Sequence, residues 1–299
     1  MCVVLGAVTA SRSLRPVSRV PPSFDLVVAT VGRTDELGLF LDSIAAQEYD
    51  RTRVIVVDQN EDERVAEIVR GRGLPLVHER SEPGLSRARN AGLAHVEADL
   101  VAFPDDDCVY PPGLLDRVAE RFESDPGLDG LTGRAEDVDE RSSASWKSDG
   151  ATLTDENLWN RAISFTIFLR RAVVQRVGAF DERLGLGSRE PWSSGEEIDY
   201  LIRAVRAGAR IEYDPSLVVR HLVREDDSRV GARDGASVGY LLRKHGYPAR
   251  VVARMAVRPL GGAVASLARL DRARARYYLA TLNGRVRGYC GAKRANSSA

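Results

Sequence analysis

Sulfur chemistry is nearly absent from this chain. Its 299 residues include three cysteines, Cys2, Cys108 and Cys290, an odd number with no C-x-x-C pair. A disulfide framework and a cysteine-zinc site are excluded, and a reducing cytosol is the simplest setting. No run approaches the roughly 18 apolar residues of a membrane-spanning helix. Lysine is scarce: only Lys147, Lys244 and Lys293 occur, so 40 of the 43 basic residues are arginine. That bias reflects either recognition of anions or a GC-rich genome. With 43% hydrophobic and 29% charged residues, the chain has ordinary globular proportions, which excludes disorder as its main state. At about 150 residues per domain, the length admits one or two domains.

The formal net charge of zero hides a split. Residues 228–299 hold fifteen Lys or Arg against Asp234 and Asp271, a surplus of 13 that residues 1–227 balance with an equal deficit. A basic segment on an acidic body points to a polyanionic surface: anionic lipid, nucleic acid or the body itself. At the other end, MCVVLGAVTA is apolar but short. Arg12, Arg15 and Arg19 follow it, the reverse of a secretory signal. Residues 1–23 are therefore expected to be a disordered leader, with Pro16, Pro21 and Pro22 marking a linker.

Beyond the leader, short apolar strands alternate with helical patterns. Phe24–Thr30, Arg53–Asp58, Leu74–His78 and Leu100–Phe103 read as strands. Between them Thr34–Gln47, Glu61–Arg70 and Ser86–Val96 read as helices. This order predicts an α/β fold with a mostly parallel sheet covered on both faces. Ligands then bind beyond the carboxyl ends of the strands, where Asp58 and the run Asp105-Asp106-Asp107 fall. Farther on, Gly127–Val138 reads as strand and turn, 139–158 as loop, and Ile163–Leu169 as an apolar run before a helix over Arg171–Val177. Residues 185–195 form a Gly/Ser-rich loop, Glu196–Ala207 an amphipathic helix, and Ala209–Tyr213 and Leu217–Val219 two short strands near His221.

Two acidic clusters carry the chemistry. Adjacent aspartates repel unless they are protonated or bridged by a cation. In an extended segment Asp105 and Asp107 point the same way and Asp106 points elsewhere. The pair suits Mg²⁺ or Mn²⁺, and a solvated surface turn is the plainer alternative. In Gly195-Glu196-Glu197-Ile198-Asp199, carboxylates at a helix start either serve the helix dipole or supply a general base beside a mobile loop.

In order, five segments resemble glycosyltransferase family 2: FDLVVATVGRTDELGLFLDSIAAQ, VIVVDQN, GLSRARNAGLAHVEADLVAFPDDDC, FLRRAVVQRVGAFDERLG and GEEIDYLIRAVRAGARIEYDPSLVVRH. The resemblance covers about residues 24–221 and implies the GT-A (Rossmann-like) fold over 24–227, with 228–299 as a basic helical extension. It implies an inverting transferase. The donor would be a nucleotide-diphosphate sugar and the acceptor a hydroxyl of a glycan or lipid-linked molecule. By the same resemblance, Thr30 and Arg33 cradle the nucleoside and Asp58 hydrogen-bonds the base. Arg89, Asp105 and Asp106 also lie on the donor side. Asp107, Asp105 and His221 hold the divalent metal, and Glu197 or Glu196 is the base. Trp192 and Asp199 fall on the acceptor side. Two departures stand out: Glu-Glu replaces the family's usual Glu-Asp, and Ala29-Thr30-Val31-Gly32-Arg33 replaces Pro-Thr-Tyr-Asn, so nucleotide identity does not carry over.

Two other classes compete. A nucleotidyltransferase would share the sheet and metal but needs a glycine-rich phosphate loop, and the first loop holds only Gly32. A non-catalytic binding module for sugar or nucleic acid is the third, although no nucleic acid is expected as partner. In the tail, Arg250, Arg254 and Arg258 recur every fourth residue, a cationic helix face if Pro259 ends the helix. Val251, Val252 and Met255 lie on another face. Such basic amphipathic helices either pack on the acidic body or lie in a membrane interface. The second option implies a cytoplasmic enzyme, peripheral at the inner face of the plasma membrane.

Overall fold

The computed structural model describes residues 20–137, 146–221 and 227–296. Most of the expected leader (1–19) and part of the expected loop (138–145) lie outside the described residues. In chain order the elements are β1 (Phe24–Thr30), α1 (Asp35–Ala45), β2 (Thr52–Asp58), α2 (Arg64–Val69), β3 (Leu76–Arg80), α3 (Leu85–Leu93), β4 (Leu100–Ala102), β5 (Cys108–Val109), α4 (Leu114–Ser124) and β6 (Gly130–Glu136). They continue with β7 (Ala151–Thr152), β8 (Ile167–Arg170), α5 (Arg171–Val177), α6 (Glu196–Arg206), β9 (Ile211–His221), α7 (Ser228–Lys244), α8 (Ala249–Ala268) and α9 (Arg272–Asn296).

These strands form one sheet in the order β3-β2-β1-β4-β8-β6-β9-β5, with β7 on the flank of β9. β3, β2, β1 and β4 are parallel, as their continuous apolar runs predict. From β4 onward the sheet is mixed, because β8 runs antiparallel to both β4 and β6. Every residue of β1 is buried. Leu37, Phe40, Leu41 and Ile44 of α1 cover one face of the sheet, while the other face carries α3, α5 and α6.

Three elements differ from the sequence reading. α4 was not anticipated, although Leu114, Leu115, Val118, Ala119 and Phe122 make a helical stripe and are buried. The two short strands expected before His221 are one strand, β9, which stays paired with β6 across a register shift near Asp214-Pro215. α8 does not stop at Pro259. Proline removes the N–H that would bond the Met255 carbonyl, and Arg285 Nη1 of α9 donates to that carbonyl instead.

The three C-terminal helices pack on the sheet domain. α7 and α9 meet at backbone distance, since a Cβ on Gly239 would overlap the Arg285 carbonyl and one on Gly288 would overlap that of Ala236. Such contact is possible only where glycines line the seam, as in small-residue helix pairs elsewhere.

Candidate active site

Strand register assembles the acidic edge. β1 and β2 end side by side with Thr30 opposite Asp58, and Ala29 bridges to Asp105 just past β4. β5 pairs with β9 so that Cys108 faces His221, which sets His221 beside Asp107. Ligand atoms of Asp105, Asp107 and His221 all lie within 4.8 Å of one another. Two carboxylates and an imidazole at that spacing fit a divalent cation of the Mg²⁺ or Mn²⁺ type. His221 Nε2 is 2.8 Å from Asp107 Oδ1, and its ring stacks on Phe165 at 4.7 Å. Ser164 Oγ donates to Asp105 Oδ1 at 3.1 Å. Neither Ser164 nor Phe165 was flagged from sequence, because a three-residue helical turn carries no periodic signal.

Asp106 and Asp107 lie in a turn rather than an extended segment, so strict alternation does not hold, and Asp106 faces the β1 loop. It accepts from Thr30 Oγ1 at 2.8 Å and from Arg33 Nη1 at 2.7 Å. The same Arg33 nitrogen is 2.5 Å from Asp107 Oδ2. Burial pushes the Asp106 carboxyl up, against the opposing pull of Thr30 and Arg33. Asp106 therefore clamps the β1 loop through Thr30 and Arg33.

Arg89 is likewise committed to neighbouring carboxylates. At 1% exposure it has no surface to offer a nucleotide. Its Nη1 is 2.7 Å from Glu196 Oε1 and its Nη2 is 3.1 Å from Asp105 Oδ1. One guanidinium thus joins the metal-type acids on β4's end to the start of α6. Asp58 is also fully buried: Asn60 donates twice to Oδ1, at 2.8 and 2.9 Å, and His78 Nε2 lies 3.0 Å from Oδ2. As placed, Asp58 shapes the loop rather than presenting itself to a base.

Glu196 and Glu197 diverge. Glu196 is buried and committed to Arg89. Glu197 has no ion pair among the described residues. Burial, then the charge of Glu196, pushes its carboxyl up to about 8. A carboxyl near neutrality is poised to exchange a proton.

Acceptor-side expectations fare differently. Asp199 is fully buried and held by Lys244 Nζ at 2.6 Å, His245 Nε2 at 2.8 Å and Arg203 Nε at 2.9 Å. Burial alone would raise it, but His245, Lys244 and Arg203 hold it below its ordinary value. It pins α6 to the end of α7 and is not free for an acceptor. Trp192 is buried, stacked on Tyr240 of α7 at 4.5 Å. It lines a cavity of about 600 Å³ between the 185–195 loop, α7 and α9, together with Arg233, Asn283 and Arg287.

A parallel-led sheet with a D-x-D after β4 and a carboxylate helix facing it defines a GT-A transferase fold. The model of glycosyl transferase family 2 matches residues 25–178, half of the chain, and the chain belongs to that family. The pre-mycofactocin glycosyltransferase of Mycobacterium tuberculosis is 29% identical over 172 residues, 54% of this chain and 34% of that protein. The chain thus spans about a third of the length of that curated relative. Among solved structures, the mannosyltransferase PcManGT from Pyrobaculum calidifontis, in complex with GDP-Man and Mn²⁺, superposes with a TM-score of 0.63 at 16% identity, covering 92% of this chain and 90% of that one. S. aureus TarS 1-349 in complex with UDP-GlcNAc gives 0.58 at 18% identity, covering 90% and 92%.

Proposed function

We propose that this chain is an inverting glycosyltransferase. It moves a sugar from a nucleotide-diphosphate donor to a hydroxyl of a glycan or lipid-linked acceptor, with a divalent cation and a carboxylate base. The carrying observation is Arg89, whose two terminal nitrogens touch Asp105 and Glu196. Through it the cation-type acids and the start of the base helix lie within the span of one guanidinium, which supports a shared site.

The chain's own groups divide the work. Asp105, Asp107 and His221 would hold the cation, which when bound neutralises charge on the departing diphosphate. Asp105 is fixed by Arg89 and Ser164, and Asp107 by His221 and Arg33. Glu197 accepts the proton of the acceptor hydroxyl as its oxygen attacks the anomeric carbon from the face opposite the leaving group. Glu196, ion-paired with Arg89, raises the proton affinity of Glu197 without competing for the acceptor. An in-line displacement needs no enzyme nucleophile and inverts the centre. The sugar-nucleotide complexes of the similar structures, one with GDP-Man and another with UDP-GlcNAc, support the donor class and leave the base open. On the acceptor side, Trp192 contributes as a wall of the cavity beside the base loop rather than as an exposed stacking ring.

Glu197→Gln tests this. Transfer from a screened set of nucleotide sugars with Mn²⁺ is expected to fall about 10²–10⁴-fold, while donor binding measured calorimetrically stays within a few-fold. Unchanged turnover removes Glu197 as base. Asp107→Ala separates the metal claim: Mn²⁺-dependent donor binding should disappear, and donor binding that remains Mn²⁺-dependent would overturn the ligand set.

A further inference from the structure

Unlike the sequence reading, which found no spanning run, the structure has one helix among the described residues, α8, that is long and apolar enough to cross a membrane. Its surroundings argue for a different use. One stripe, Val251, Met255, Pro259, Ala263 and Ser266, is buried against the body. Spanning a bilayer would tear that stripe from α9. On the far side a second apolar stripe, Val257, Leu260, Val264 and Leu267, faces outward with each side chain 47–62% exposed. At about 100° per residue these four lie on one side of the helix. Leu270, at the corner into α9, is 85% exposed. Its φ of 58° is a left-handed backbone that a bulky residue rarely adopts. A leucine held outward in that conformation contributes nothing to the core.

Arginines border this stripe. Arg250, Arg254 and Arg258 form the adjoining row along α8, and Arg269, Arg272 and Arg276 flank the corner. Neither α8 nor α9 contains an acidic residue, and Asp271 is the lone acid between them. Arg250 and Arg254 reach Glu156 at 3.2 and 3.6 Å, but these are exposed pairs of little energetic worth.

We propose that this face docks on an anionic membrane surface. α8 lies in the plane, with the leucine–valine stripe at the headgroup–acyl boundary and the arginine row on lipid phosphates. Apolar stripe and cationic border together are what such an interface selects. A second copy of the chain is the other candidate occupant. Two-fold pairing through this face would bring arginine row against arginine row with only Glu156 and Asp271 nearby to relieve them. The charge pattern therefore favours lipid.

The test uses the full chain in flotation with vesicles of phosphatidylcholine alone and of phosphatidylcholine mixed with phosphatidylglycerol. Wild type is expected to float with the anionic vesicles and to stay behind with the neutral ones. A Leu260→Asp, Leu267→Asp double variant should lose binding by about tenfold or more. Arg254→Glu with Arg258→Glu should lose it comparably and flatten its salt dependence. Leu39→Asp, an equally exposed leucine on α1, should float like wild type. Thermal melts of each variant verify folding. Equal flotation of wild type and the leucine variant overturns the proposal. So does failure of wild type to bind anionic vesicles, or a wild-type dimer that the leucine variant dissolves.

Discussion

Two arginines, one buried and one partly buried, show how differently the two regions of this molecule are built. Arg89, under the sheet edge, is bracketed by Asp105 and Glu196. Arg285, between α8 and α9, has a backbone carbonyl and no described carboxylate, and burial followed by the charge of Arg258 pushes it down to about 10. The edge holds its charges in pairs: Arg89 with Asp105 and Glu196, Arg33 with Asp106 and Asp107, His78 with Asp58. The helical region, residues 228–299, holds only Asp234 and Asp271 as acids and closes its seam with glycines. One region is ordered by electrostatic complementarity and the other by the absence of side chains. Only the first arrangement places reactive groups to within hydrogen-bond distances, which is what a site needs.

The strongest way to break this contrast is to remove each arginine in turn. Arg89→Met leaves Glu196 buried and unpaired beside the partly exposed Asp105, which keeps its bond from Ser164. Breaking a buried pair from one side costs about 3–5 kcal/mol, so a large drop in melting temperature and loss of turnover are expected. Arg285→Met removes a charge that is costly to bury and loses one hydrogen bond, so the two effects offset and the melt should move little. Equal destabilisation by both substitutions would erase the distinction.

Much of the edge was legible in the sequence, and the reason is physical. Parallel strands are apolar on both faces, so Phe24–Thr30 and Thr52–Asp58 stand out as unbroken runs, and the acids that end them mark the ligand-binding side. The D-x-D was legible as an acidic run, but the turn that brings Asp106 and Asp107 onto the same Arg33 nitrogen was not. Partner assignment was not legible. Arg89, Asp106 and Asp199 are the right kinds of residue for a ligand, yet each is spent on a neighbour that only the fold reveals. The helical region was harder. Gly239 and Gly288 look like helix-weakening residues until the opposite backbone is seen, and Pro259 looks like a stop until Arg285 takes the orphaned carbonyl.

A second prediction sharpens the electrostatic half. The fold raises Glu197 from an ordinary 4.5 to about 8, so it favours the neutral acid. The resulting stability is complete below about pH 4.5 and is lost as pH rises toward 8, at up to about 1.4 kcal/mol per pH unit for one proton. Glu197→Gln carries no such proton, so its melting temperature should gain on that of wild type as pH increases over this window. Activity runs the opposite way: kcat/KM of wild type should climb through a limb near 8 as the base ionises. A flat stability difference across that window would place Glu197 in open solvent.

The smallest effect tests the packing half, at two adjacent glycines of α8. A Cβ on Gly261 would meet nothing within 4 Å, whereas one on Gly262 would lie 2.7 Å from Tyr278 Cε1. In a helix interior, alanine is favoured over glycine by about 0.5–1 kcal/mol. Gly261→Ala should therefore raise the melting temperature slightly. Gly262→Ala enjoys the same propensity gain but must push the Tyr278 ring away from α8, and overpacking of that kind costs roughly 1–3 kcal/mol. Its net sign should be destabilising. If both substitutions stabilise, the α8–α9 contact is loose enough for the ring to step aside, and close packing is confined to the α7–α9 seam.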